Sequence, residues 1–308
     1  MIDADAARAS ALSRRLPGHP ATAESLEQAA REFGVEVVHI CTPVPSHDAL
    51  ARQAMTAGLH VLMEKPLTRG APETEALFAV AAERGTLLCP VHQFLFQPGV
   101  LAATRELASL GEILHVELIA CSAGAATAGA PEPESVALDI LPHGLALAGR
   151  LLGVPLADSR WSVNGGQAGE LRAVAQVGSA SVMLAVSMRS RPTENSLTIR
   201  CAGGTVRADL FHGFATIERG STSRAGKVVR PFAASSGILL AATSNLVGRT
   251  LRREPAYPGL RELVRRFHRA SSGLEPSPIS PREAIDVARA RDAIASMRET
   301  TGPRERLT

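Results

Sequence analysis

One lysine, Lys65, lies at the end of a predicted strand, where its side chain could exchange a proton with a bound molecule. Lys65 follows the apolar run His60-Val61-Leu62-Met63, which is typical of a buried strand, and Pro66 directly after it cannot continue a sheet ladder. Only two of the 33 basic residues are lysines, Lys65 and Lys227, and the others are arginines. Lysine, unlike arginine, can have its pKa shifted far enough to exchange a proton. Lys65 is therefore a candidate for proton transfer, although a lysine kept by chance at a solvated strand end fits the local pattern equally well.

A second candidate is a carboxylate and an imidazole one helical turn apart. Asp139 and His143 are spaced i, i+4 in a segment that predicts a helix, so both project from one face. A carboxylate in this position can orient an imidazole and stabilise its charged form, which suits a general acid or base. An ordinary helix-surface pair has the same spacing. Pro142 lies between them and predicts a kink.

Other polar residues are expected near the ends of predicted strands. His47 follows the strand end at Thr42-Pro43, where it could contact a cofactor or pack locally, and Glu64 could contact a ligand or anchor the turn. Where the first half of the chain passes into the second, three further side chains are expected to contact a small-molecule substrate: His92, Gln93 and Gln97. No metal-ligand spacing and no Ser/His/Asp or Cys/His arrangement is evident, so we expect no metal.

The predicted strands and helices indicate how these residues would be positioned. Strands predicted at residues 35–41, 60–63 and 86–91 alternate with helices at 46–57 and 71–84, which predicts a doubly wound parallel sheet. Consecutive strands between residues 160 and 210, joined by short turns, predict a mostly antiparallel sheet in an α+β domain. We therefore place an N-terminally incomplete Rossmann-like domain at residues 1–95 and a substrate-binding domain at 96–308. A mobile loop is predicted at 122–133, and helices at 134–152, 237–252, 258–271 and 281–297.

Composition excludes several classes of function. The net charge is only +3 and the arginines are not interleaved with aromatic residues, so nucleic-acid binding has little support. The four cysteines are far apart, as in a reducing compartment, and no uninterrupted apolar run approaches the roughly 18 residues of a membrane span. We expect a cytoplasmic protein without a membrane partner.

One expected element is missing. A dinucleotide-binding fold opens with a strand, a GxGxxG turn and a helix that seats the pyrophosphate, and no GxGxxG occurs in this chain. Asp3, however, stands at the end of a shortened strand, where an acidic residue would bind the adenosine ribose. The sequence thus keeps the ribose position without the phosphate cradle.

Taken together, these motifs resemble the Gfo/Idh/MocA family of nicotinamide-dependent oxidoreductases. The run from Val35 through Thr42-Pro43 to His47, the Glu64-Lys65-Pro66 motif, and Asp139-Ile140-Leu141-Pro142-His143 are similar to family motifs. The resemblance implies Lys65 and His143 at the nicotinamide as proton-handling residues, Asp139 orienting the site, and a sugar, inositol or related polyol as substrate. It also implies a homo-oligomer formed through the C-terminal sheet.

Two hypotheses follow. In the first, the chain is an NAD(P)-dependent oxidoreductase whose sequence starts late, and NAD is mildly favoured because Asp3 would repel a 2′-phosphate. In the second, it is a cofactor-independent lyase or isomerase, or a non-catalytic binding protein on the same scaffold. Under the first hypothesis the expected cofactor contacts are Asp3, Thr42, Pro43, His47, Glu64, Lys65 and Pro66.

Overall fold

The computed structural model of this protein describes residues 1–122, 133–165, 167–220, 223–254 and 256–300. The chain divides into two compact units. Unit 1 comprises Met1–Val91 together with Arg266–Pro281, and unit 2 comprises His92–Arg265 and the chain from Arg282 on. The boundary predicted near residue 95 does not include this return of residues 266–281 to the first unit. Apart from its two ends, the mobile loop predicted at 122–133 lies outside the described residues.

Helices and strands alternate along unit 1. In chain order they are α1 (Ala6–Ser13), α2 (Leu26–Phe33), β1 (Val37–Ile40), α3 (His47–Thr56), β2 (His60–Met63), α4 (Ala71–Arg84) and β3 (Leu88–Pro90). The strands form a parallel sheet in the order β1-β2-β3. The predicted Rossmann-like α/β fold is confirmed, while the shortened strand predicted at the N-terminus is only an isolated parallel bridge between Ile2 and Ala23.

The register of this sheet brings the carboxyl ends of its strands level. Ile40 is the partner of Met63, and Met63 is the partner of Pro90. The segments that follow β1 and β2 therefore leave the sheet at the same edge, which is the edge where ligands bind in open parallel sheets.

Unit 2 is built around a larger sheet. Its elements are α5 (Pro98–Leu110), β4 (Ile113–Cys121), α6 (Pro133–Leu152), β5 (Trp161–Asn164), β6 (Glu170–Val177), β7 (Ala180–Ser187), β8 (Glu194–Cys201), β9 (Gly204–Asp209), β10 (Phe214–Arg219) and α7 (Arg224–Arg252). Two more helices follow, α8 (Leu260–Ser271), whose second half falls in unit 1, and α9 (Pro281–Thr300). The strand order is β10-β9-β8-β4-β7-β6-β5, and every pair is antiparallel except β4 with β7. The predicted mostly antiparallel sheet is confirmed.

One face of this sheet is buried. Along β6 the residues Leu171, Ala173, Ala175 and Val177 are buried and alternate with more exposed residues, as expected for a strand covered on one side. Helix α6 contacts β4, β6 and β7. The helix that carries Asp139 and His143 therefore lies against the sheet.

By length and composition alone, one described helical stretch could cross a membrane: Ser135–Leu152 of α6, of which 44% is buried inside the protein. Asp139, Pro142 and His143 interrupt the apolar run of this stretch. A helix packed in a protein core has the same composition, so this stretch is weak evidence for a membrane span.

A histidine pair in unit 1 makes stability depend on pH. The Nε2 atoms of His39 in β1 and His268 in α8 are 3.2 Å apart, and the ring of buried Phe267 lies nearly perpendicular to that of His39, with 6.3 Å between the centroids. Burial, and secondarily the charge of His268, lower the pKa of His39. The unfolded chain then takes up a proton before the folded one as pH falls. The stabilisation is complete above the unfolded pKa of about 6.5 and is lost as pH falls below it.

We therefore expect the free energy of unfolding to be lower at pH 5.5 than at pH 7.5, with a contribution from His39 under ~1 kcal/mol because its ring is partly exposed. Urea titrations at several pH values would measure the slope. His39→Gln should flatten it relative to the unmodified chain, and His268→Gln should flatten it less. An unchanged slope in His39→Gln would refute the assignment.

Candidate active site

In unit 1, Lys65 is held by a rigid strand. Val61, Leu62 and Met63 of β2 are at most 2% exposed. The N–H of Glu64 donates to the carbonyl of Ile40 at 2.9 Å, so sheet pairing extends to the residue before the lysine. Lys65 itself is half-buried, and the following Pro66 and Leu67 are buried. The backbone on both sides of Lys65 is thus fixed, which suits a side chain that must be positioned for chemistry.

His47 ties the two segments at this edge together. Its side chain is 1% exposed, with Nδ1 3.0 Å from the carbonyl oxygen of Pro66 and Nε2 2.8 Å from that of Thr42. Thr42 follows β1 and Pro66 follows β2, so one imidazole spans the ends of both strands. Of the two interpretations left open for His47, local packing describes its contacts in unit 1, and its predicted cofactor contact stays a prediction.

Four other predicted cofactor residues of unit 1 lie near polar groups of the chain: Thr42, Pro43, Glu64 and Asp3. The hydroxyl of Ser46 lies 2.7 Å from Thr42 Oγ1 and 2.8 Å from the carbonyl oxygen of Pro43. Burial, and secondarily the carboxylate of Glu64, raise the pKa of the Cys41 thiol, which leaves it a poor nucleophile. Asp3 is exposed, and its Oδ1 accepts a hydrogen bond from the N–H of Asp5 at 2.8 Å.

In unit 2, two predicted residues come together around an aromatic ring. The ring of His143 lies 4.5 Å from that of Phe94 and meets the ring of His92 nearly edge-on at 5.9 Å, measured between centroids. His92 and His143 are both buried. The sequence singled out the two histidines for different reasons, and the structure places them in one cluster. Phe94, which was not among the predicted site residues, lies against His143.

The helix that carries His143 runs unbroken through a proline. Helix α6 continues across Pro142, which has no N–H to donate to the carbonyl of Leu138. Asp139 is half-buried one turn before His143. The next residue, Gly144, lies close to the sheet: an added Cβ would be 3.2 Å from Leu184 Cδ2. The glycine thus lets the helix approach β7 beside the imidazole.

A short 3₁₀ turn at Gln93–Phe96 carries Phe94, and Gln97 follows it directly. Gln97 is fully buried, and its Nε2 donates to the carbonyl of Leu210 at 2.7 Å; within the described chain its Oε1 accepts no hydrogen bond. Gly259 lies against the turn with φ +90°, and an added Cβ would be 2.3 Å from the carbonyl oxygen of Gln93. Substrate contacts by His92, Gln93 and Gln97 stay predictions.

A small cavity of about 20 Å³ adjoins His143. Its lining is mostly apolar, from β4, β7 and α6, with Phe94 and the amide of Asn195 added. This volume holds about one water molecule, so the cavity is not itself a substrate pocket. Within the described ranges, no group of three or more His, Cys, Asp or Glu side chains is arranged to hold a metal ion.

The residues of unit 1 match part of what a dinucleotide needs. The carboxyl edge of the sheet carries the hydroxyl of Thr42 and the ammonium of Lys65, and an exposed carboxylate, Asp3, follows the bridge at Ile2. These groups suit the nicotinamide and ribose parts of such a cofactor. The glycine-rich turn for the pyrophosphate is not in this sequence.

Comparison with known families identifies this unit. Residues 1–92 match the family model described as "Oxidoreductase family, NAD-binding Rossmann fold". The family with this description is Gfo/Idh/MocA, and the match covers the N-terminal unit of the chain. A relative in the same segment is a dTDP-3,4-didehydro-2,6-dideoxy-alpha-D-glucose 3-reductase from Actinomadura kijaniata, 40% identical over 91 residues. That match spans 30% of this chain and only 27% of the reductase.

Solved structures show a likeness in fold that extends to the second half of the chain. The UDP-N-acetylglucosamine 3-dehydrogenase of Acidithiobacillus ferrooxidans has a TM-score of 0.73 at 21% identity, covering 97% of this chain and 89% of that one. A 3-ketoreductase from Actinomadura kijaniata, solved with NADP and TDP-benzene, has a TM-score of 0.71 at 20% identity, covering 96% and 88%. At these identities the likeness establishes the fold of both units.

Proposed function

We propose that this protein is an NAD(P)-dependent oxidoreductase acting on a CH–OH or carbonyl group of a sugar or a related polyol-like molecule. The observation that carries the proposal is the setting of Lys65: a half-buried lysine at the carboxyl end of a buried strand, in the unit that matches the NAD-binding family model. The sugar class is supported by the relatives named above, which are sugar-nucleotide reductases and dehydrogenases.

When bound, the nicotinamide supplies the hydride acceptor or donor, and the residues of this chain handle the accompanying proton. Lys65 Nζ is proposed to exchange a proton with the substrate oxygen, and His143 to act as a second proton-handling residue. The Asp139 carboxylate, one turn earlier on α6, would favour the charged form of the imidazole. The contact of Phe94 with the His143 ring at 4.5 Å would fix its orientation.

We propose NAD over NADP because Asp3 is an exposed carboxylate at the position expected to contact the ribose, where it would repel a 2′-phosphate. The NADP in the solved ketoreductase is a property of that protein. Replacing Asp3 by asparagine should narrow the difference between the affinities for NADH and NADPH.

The proposal is tested in two steps with the purified chain. The first is a fluorescence titration with NADH and with NADPH. The second follows reduction of the preferred oxidised cofactor in the presence of dTDP- and UDP-hexoses, free aldoses and inositols. Saturable binding with turnover of at least one of these compounds is the expected result. A folded chain that binds neither cofactor would contradict the proposal and favour the cofactor-independent lyase, isomerase or binding protein.

A further inference from the structure

The outer side of α7 is a long apolar surface open to solvent. Of the 19 large apolar residues exposed in the described chain, nine lie on this one helix. We define the α7 face by six of them, which are 53% to 73% exposed: Val228, Phe232, Leu239, Leu240, Leu246 and Val247. At 100° per residue they lie within about 120° of the helix circumference and extend about 30 Å along its axis.

No charge interrupts this face. Between Gly220 and Arg253 the chain contains no aspartate or glutamate. The helix periodicity places Arg230, Arg249 and Arg252 on the opposite side. The guanidinium of Arg230 donates to Glu218 at 2.9 Å, that of Arg249 donates to the carbonyl oxygens of Glu254 and His212, and that of Arg252 lies 3.5 Å from the carboxylate of Glu254. These arginines are therefore engaged inside unit 2.

The area of the face matches half of a protein dimer interface. Fully burying one large apolar side chain removes roughly 60–120 Å² from water, so six such side chains, each about two-thirds exposed, offer roughly 400 Å². A standard interface buries about 800 Å² per partner, of which about 57% is apolar, or about 450 Å². A patch of roughly 400 Å² is comparable to the largest apolar patch of a typical monomer, and such patches are often functional.

We infer that the α7 face is the contact surface for a second copy of this chain, related by a twofold axis. Leu239 and Leu240 lie near the middle of the exposed stretch. An antiparallel pairing of two α7 helices therefore brings the α7 face of one copy into contact with the same face of the other. Without charged residues on the face, this pairing buries no unpaired charge. Because the described arginines of α7 are engaged with Glu218, His212 and Glu254, the electrostatic term that an anionic membrane surface would add is reduced.

The outward face of the unit 2 sheet, where the resemblance places an oligomer contact, has a different character. Its polar groups already pair with one another: Arg200 lies 3.8 Å from the carboxylate of Glu117, and the His115 ring lies 2.7 Å from the hydroxyl of Ser181. The outward face of the sheet therefore combines paired polar groups with the exposed Val174, whereas the α7 face carries no charged group. The two surfaces can therefore be tested against each other.

The test is sedimentation equilibrium of the full chain. The variant Leu239→Glu/Leu246→Glu places two charges in the middle of the α7 face, and we expect a dimer dissociation constant at least ~100-fold higher than that of the unmodified chain. Val174→Glu probes the outward face of the sheet, and Leu274→Glu is a matched control at an exposed apolar residue of unit 1. Neither should change the constant. Circular dichroism checks folding, and Leu240→Lys replaces the double variant if that does not fold.

Three results would overturn the inference. The unmodified chain could be monomeric at tens of micromolar. Val174→Glu could dissociate the dimer while the α7 variant does not, which would place the interface on the sheet. A monomeric chain could sediment with phosphatidylglycerol vesicles in a manner that the α7 variant abolishes, which would make a membrane surface the occupant.

Discussion

Lys65→Ala is expected to lower kcat by about 10³-fold or more while the chain stays folded. General acid–base groups contribute about 10²–10⁴-fold, and Lys65 is proposed to be the group nearest the reacting oxygen. Its side chain is half-buried at the end of β2, so the truncation removes a head group without opening the core made by Val61, Leu62 and Met63. Steady-state kinetics with whichever sugar compound turns over would measure the loss.

The matched control for this prediction is Lys65→Arg. Arginine keeps the positive charge but does not give up its proton near neutral pH, so it should be nearly as inactive as alanine while still binding NADH. A merely electrostatic role for Lys65 would instead let arginine restore most of the rate. If Lys65→Ala retained activity within tenfold of the unmodified chain, the lysine would not be the proton-transfer residue.

Gly259→Ala is expected to destabilise the protein by about 3 kcal/mol or more, because the substitution combines two costs. Its φ of +90° is in the region that side-chain-bearing residues avoid, and the new Cβ would be 2.3 Å from the Gln93 carbonyl oxygen and 2.8 Å from the Gln97 nitrogen. Both neighbours are backbone atoms of the turn that carries Phe94, so they cannot move aside without displacing that ring from His143. Urea unfolding and turnover should therefore both change.

Gly178→Ala separates the two costs. Gly178 also has a positive φ, +60°, but an added Cβ meets no atom within 4 Å. Only the backbone strain applies there, so we expect about 1–2 kcal/mol and unchanged kinetics. Equal destabilisation by the two substitutions would mean that the close contact of Gly259 with the turn does not contribute to the change in the free energy of unfolding.

The sequence was most informative about features that are set by residues close together in the chain. Residues 60–67 define a strand and its end without reference to the rest of the chain, and the i, i+4 spacing of Asp139 and His143 needs only a helix. The alternation of strands and helices likewise predicted the parallel sheet of unit 1. Each of these features is set by periodicity and by residues a few positions apart.

What was missed depends on distant residues. Phe94 becomes part of the site only because α6 returns to it about 50 residues later, and no local pattern encodes that contact. Gly259 stands in a Pro-Gly turn, which predicts a bend but not the backbone it approaches. Strand β10 was not predicted, and α7 begins at Arg224 rather than at residue 237, continuing through Pro231.

The parallel pairing of β4 with β7 affects the order in which unit 2 can assemble. Neighbouring antiparallel strands such as β6 and β7 close over a turn of a few residues, whereas β4 and β7 meet only after the intervening helix α6 and two strands have been placed. Contacts of such large sequence separation cost the most chain entropy and form late. The middle of the sheet, and with it the seat of the His143 helix, is therefore expected to be among the last parts of unit 2 to become native. During synthesis or refolding the hairpins would form before helix α6 packs against the completed sheet.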